Sequence, residues 1–93
     1  MILNSNLNDM ILFEHTILSD GATINGNSYT TYPVPHKDGY TTIALNASVT
    51  GRGNINVIGI WERAADLIIF RNLTSEKIDT GRLTVVVVLL KDN

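Results

Sequence analysis

Cysteine is absent from all 93 residues. Disulfides and thiolate metal sites are therefore excluded. A single small domain must then hold together by a dense core, by association, or by both. Charge is also scarce: 17% of the chain against a typical ~25%. Seven basic and nine acidic residues are scattered singly, for a formal net charge of −2. No basic stripe exists to follow a phosphate backbone, so nucleic acid is not an expected partner. Long apolar runs are missing too. The longest, Leu83 to Leu90, is broken by Thr84 and falls far short of the ~20 residues that cross a bilayer. Membrane insertion is not expected. Met1 to Asn6 has no basic stretch leading into an apolar one, so no secretory signal is expected either.

Prolines number two, Pro33 and Pro35, and aromatic residues six. What remains is short alternating segments separated by turn residues. Asn4 to Asp9 is polar and Asn-rich, and residues 1–9 are expected to be a flexible lead-in to one domain over 10–93. From Met10 the pattern is strand-like, with Phe13, His15 and Ile17 on one side and Glu14 and Thr16 on the other. Asp20-Gly21, Asn25-Gly26-Asn27 and Lys37-Asp38-Gly39 are turn signals. Ser28 to Tyr32 is β-prone and stops at Pro33, which marks an edge strand or an extended loop.

Thr41 to Thr50 alternates most cleanly, placing Ile43, Leu45, Ala47 and Val49 on one face. Gly51-Arg52-Gly53-Asn54 reads as a hairpin connection into the next strand, which ends near Glu62. There Ile55, Val57 and Trp61 oppose Ile58 and Ile60. Leu67 to Asn72 follows, then a polar loop from Thr74 to Gly81. Four consecutive valines make Leu83 to Leu90 a strand, because β-branched side chains suit a pleated surface better than a helical turn. The predicted fold is all-β: an antiparallel β-sandwich, jelly-roll-like, with six to eight short strands.

Several strands carry apolar residues on both faces. A sandwich of this size has no third layer to cover the second face. A subunit interface built on Ile58, Ile60, Ile68, Phe70, Val86 and Val88 is the expected use of that surface.

Chemistry-bearing patterns are weak. His36 near Asp38 is short of the three or four ligands a zinc site needs. Gly51-Arg52-Gly53 lacks the Lys-Ser/Thr and the helix of a phosphate loop. No activated nucleophile is discernible. Catalysis, a cofactor and a metal are accordingly not expected. Asn46-Ala47-Ser48 and Asn72-Leu73-Thr74 match the glycosylation pattern and are expected to be unmodified. Tyr29, Tyr32 and Tyr40 gather around the proline-containing segment. With Arg52 they are the candidate receptor or ligand contacts, set against the alternative of a tyrosine lid over the core. Phe13 and Phe70 read as packed.

A specific order of features runs from Gly39-Tyr40 through Ile43 and Leu45, a Gly/Asn turn and a strand ending in Trp61. It continues through Arg71-Asn72-Leu73-Thr74 to the final Leu83–Lys91 strand. This order resembles the small C-terminal β-sandwich domains of bacteriophage tail-fibre and minor structural proteins. The resemblance implies a non-enzymatic virion module, made in the host cytoplasm. It implies a homo-oligomer, a trimer, that contacts other virion proteins and contributes to host attachment. The alternatives are a lectin-like module for a host-surface glycan and a capsid decoration protein.

Overall fold

A computed structural model describes residues 10–93; the expected lead-in, residues 1–9, lies outside the described residues. Eight strands follow one another: β1 (Ile11–Ser19), β2 (Thr23–Ile24), β3 (Tyr29–Pro33), β4 (Tyr40–Thr50), β5 (Val57–Glu62), β6 (Leu67–Asn72), β7 (Ile78–Asp79) and β8 (Arg82–Lys91). They form three antiparallel sheets, ordered β1-β8-β4, β2-β7 and β3-β6-β5. The all-β, antiparallel expectation holds, with the strand count at its upper bound.

The turns lie where the turn residues do. Asn27 and Gly39 take up positive φ, at 56° and 82°, in the turns before β3 and β4. The Arg63–Asp66 turn closes with Asp66 N–H donating to the Arg63 carbonyl at 3.2 Å. β3 is indeed an edge strand and ends on Pro33.

Two three-stranded sheets face each other across one core. Leu83, Val85, Val87 and Leu89 of β8 supply one side, Val57, Ile68 and Phe70 of the β5/β6 pair the other, and Ile24 and Val34 close the ends. Each such side chain, fully buried, contributes roughly 1.5–3 kcal/mol. β4 adds Leu45, Ala47 and Val49 to the rim of the same core. Ile43 departs from the expected alternation. The β4–β8 register shifts between Thr42 and Ala44, and the residue inside that shift is left exposed.

The Gly51–Asn54 segment is not a hairpin turn, contrary to the sequence-based expectation. β4 pairs with β8 along its length, and β5 pairs with β6. The chain from Gly51 to Asn56 crosses from one sheet to the other, with Gly81 N–H donating to the Arg52 carbonyl at 2.7 Å. β5 then returns alongside β4 at very close range. A Cβ on Gly59 would stand 2.6 Å from the Ala47 Cβ, so only glycine fits where the two edges meet.

The pairing is nested: β1 with β8, β2 with β7, β3 with β6, and β4 against β5 across the sheets. The sheets hold three, two and three strands instead of two stacks of four. A sandwich-like arrangement is therefore the description that holds, and the sheet order does not give the jelly-roll part of the expectation.

Candidate functional site

Register decides which side chains look outward. On the β1-β8-β4 sheet, Phe13 lies opposite Val88, His15 opposite Val86 and Ile11 opposite Leu90. On the other flank Ala44 lies opposite Val88 and Asn46 opposite Val86. Since Leu83, Val85, Val87 and Leu89 face the core, these residues form the outer face. Phe13 is 72% exposed and Ile17 47%, while Val86, Val88 and Leu90 are half-buried by their neighbours on the same face. The result is an apolar strip with one histidine and no formally charged side chain among these positions.

The outer face of the β3-β6-β5 sheet is composed differently. Ile60 lies opposite Ile69, and Ile58 opposite Arg71, which in turn lies opposite Tyr29. The Arg71 guanidinium sits 5.2 Å from the Tyr29 ring centroid. Ile58 and Ile60 are each 42% exposed.

The expected interface residues therefore divide. Val86 and Val88 look outward from one sheet, Ile58 and Ile60 from the other. Ile68 and Phe70 do not belong with them: both are 0% exposed, inside the sandwich. Ile68 pairs with Trp61 and Phe70 with Gly59, so they share the face of Val57 and Trp61, opposite to that of Ile58 and Ile60. A subunit outside the sandwich cannot reach them.

The candidate ligand contacts are not brought together either. Tyr29 stands on the outer face of its sheet. Tyr32 points inward and meets Phe70 edge-on, with ring centroids 5.9 Å apart. Tyr40 packs against the core at the start of β4, with the Lys37 ammonium 5.9 Å from its ring. Arg52 lies beyond the far end of β4, an eleven-residue strand about 34 Å long. For Tyr32 and Tyr40 the lid over the core is the observed role.

His36 pairs with Asp66 across two loops, not with Asp38. Among the described residues no three His, Cys, Asp or Glu side chains converge to hold a metal ion, and no enclosed pocket opens. No described helix is long and apolar enough to cross a membrane. The Trp61 ring carries Arg63 stacked at 4.2 Å, and the same guanidinium donates to the Ile43 carbonyl at 3.4 Å.

Two residues are more telling than the sequence suggested. Phe13, read as packed, is the most exposed side chain of the outer strip. Its signal was available: Phe13 and Ile17 share a face with His15, which is poor company for a core. Asn72, read as half of a glycosylation pattern, is 1% exposed. Its amide nitrogen lies within hydrogen-bond reach of the carbonyls of Ile24 (3.0 Å), Asn25 (3.2 Å) and Glu76 (2.7 Å). Its oxygen accepts from the Thr74 N–H at 2.9 Å and the Thr74 hydroxyl at 2.8 Å. That nitrogen is committed to the structure and is not available for a glycan. Comparison of the chain with protein-family models, with curated proteins and with solved structures finds no match in any of the three.

Proposed function

We propose that this chain is a non-enzymatic structural module of a bacteriophage particle, of tail-fibre or appendage type, that works as a homo-oligomer. The observation that carries the self-association is the outward apolar strip of Ile11, Phe13, Ile17, Val86, Val88 and Leu90. Burying such a strip against another protein surface removes its apolar area from water at about 25 cal/mol per Å². Ile58, Ile60 and Ile69 offer a second, smaller surface on the opposite face of the sandwich. The virion assignment and the trimer rest on the strand-and-turn pattern that resembles tail-fibre domains.

Attachment to the host is the part of this reading that falls to exposed side chains. Tyr29 with its stacked Arg71, and Arg52 in the crossing loop, are the positions free to meet a receptor. A glycan-binding role has less in its favour, because two of the three tyrosines pack on the core.

The test has two arms. Light scattering on the full chain at micromolar concentration is expected to give a mass above that of one chain, with the trimer as the proposed unit. Mass spectrometry of purified particles from cells carrying the gene is expected to find the chain in fixed proportion to the other virion proteins. A stable monomer overturns the oligomeric module, and absence from purified particles overturns the virion role.

A further inference from the structure

Open strand edges are where β proteins pair with other chains, and natural sheets guard them. Three of the four long edges here are guarded. β3 is five residues long and ends on Pro33. β4 and β5 cover part of each other's edge at the Gly59–Ala47 contact, without a backbone ladder between them. β1 is the exception. Eight of its nine residues pair with β8 on one side, and among the described residues no backbone partner meets its other side. No proline or lysine interrupts it, and its one acidic residue is Glu14.

We propose that β1 pairs antiparallel with β1 of a second copy about a two-fold axis, so that two three-stranded sheets become one of six strands. The register follows from the sequence. Residues opposite each other must share a face, so their numbers must sum to an even value. A sum of 28 sets Glu14 against the second copy's own Glu14, placing like charges directly opposite. A sum of 32 leaves Ile11 and Leu12 unpaired and draws Leu18, at the β1–β8 register shift, opposite Glu14. A sum of 30 pairs the whole stretch from Phe13 to Ile17, with Ile11 and Leu12 facing the register shift at Leu18 and Ser19. It places Phe13 opposite Ile17, Glu14 opposite Thr16, and His15 opposite itself on the axis. Phe13–Ile17 is an aromatic–β-branched pair, the kind that adds stability across strands. The apolar strips of the two copies then run on into one another on the same side of the sheet.

This inference rests on the self-association proposed above and adds its contact and register. A two-fold edge contact joins copies pairwise; combined with a three-fold contact elsewhere it would join two trimers into six chains. With the trimer as the unit, a mass of six chains is therefore expected where this pairing forms, and a mass that stays at three overturns it.

The absence of cysteine makes the register directly readable. Residues directly opposite across antiparallel strands have Cα atoms ~4.5–5.5 Å apart, within disulfide reach. Phe13 and its own symmetry copy would be four residues out of step, about 13 Å apart, beyond that reach. His15→Cys should shift most of the chain to twice its mass on a non-reducing gel after mild oxidation. Phe13→Cys alone should not, and the combined Phe13→Cys and Ile17→Cys variant should. Circular dichroism confirms that each variant folds, and the double variant reads the same register without touching His15. A monomeric parent chain overturns both the association and this contact. An oligomeric parent in which His15→Cys and the double variant fail to cross-link, or in which Phe13→Cys cross-links as fast, overturns the β1 pairing alone.

Discussion

Asn72 holds three segments with one side chain, and its removal should cost more than that of any other polar residue here. It ends β6, its amide ties β2 to the loop before β7, and its oxygen shapes the turn at Thr74. In Asn72→Ala the Ile24 carbonyl and the Thr74 N–H lose this partner in a site that is nearly closed to water, while the Thr74 hydroxyl keeps the Glu76 carbonyl as an acceptor at 3.0 Å. Stranding a buried polar group costs ~1–3 kcal/mol. Asn25 and Glu76 are exposed, so their carbonyls recover water. Two groups then give a loss of ~2–5 kcal/mol, against ~5–14 kcal/mol for the total stability of a domain this size. That corresponds to a fall in Tm of about 10–30 °C. Asn72→Asp keeps the shape and the accepting oxygen but turns a carboxylate toward three carbonyls. The folded state then disfavours the ionised form, so the introduced carboxyl has a raised pKa when folded. Its penalty is complete above that value and shrinks as pH falls toward the unfolded value near ~3.9. Urea unfolding followed by circular dichroism, at neutral pH and near pH 4, measures both variants. Asn46→Ala, on the exposed outer face, is the control and should change stability by less than ~0.5 kcal/mol. A loss below ~1 kcal/mol for Asn72→Ala would refute the argument that these bonds are what order the three segments.

Gly59→Ala should destabilise by ~1–3 kcal/mol through the clash with Ala47, and Ala47→Gly should restore part of it in a double-mutant cycle read by thermal melting. Tyr32→Ala should lower stability by ~2–4 kcal/mol, because its ring packs on Phe70; binding to host cells should fall only in proportion to the folded fraction. Tyr29→Ala, by contrast, should leave Tm almost unchanged while weakening any host-surface binding. Val88→Asp should dissociate the assembly with little loss of secondary structure, whereas Phe70→Asp should unfold the chain, since an unpaired charge in the core has no water to reach. Light scattering and circular dichroism together separate those two outcomes.

How much of this was legible in the sequence follows from what alternation encodes. It tells which residues share a face, and so β8 was read correctly, with Leu83, Val85, Val87 and Leu89 against Thr84, Val86, Val88 and Leu90. It does not tell which face of one strand continues which face of the next. Ile58 and Ile60 were grouped with Ile68 and Phe70, and only the Trp61–Ile68 register shows that they lie on opposite sides. Pairing partners were hidden for the same reason: β4 and β5 are neighbours in sequence with turn residues between them, yet each forms its ladder elsewhere. Pro33 was informative because its missing N–H is a local fact. Asn72 was missed because its role depends on carbonyls contributed by residues nearly fifty positions earlier.

The place of β8 has a consequence for how the chain folds. It is the middle strand of its sheet, between β1 and β4, and the last strand in the sequence. During synthesis, β3, β5 and β6 can complete their sheet as soon as residue 72 has emerged. β1 and β4 must wait, because the strand that joins them is made last. Closing β1 onto β8 spans almost the whole chain, the kind of long-range pairing that slows folding. Until then Phe13 and Ile17 stand on a strand with no partner on either side, the condition in which strands find the wrong one.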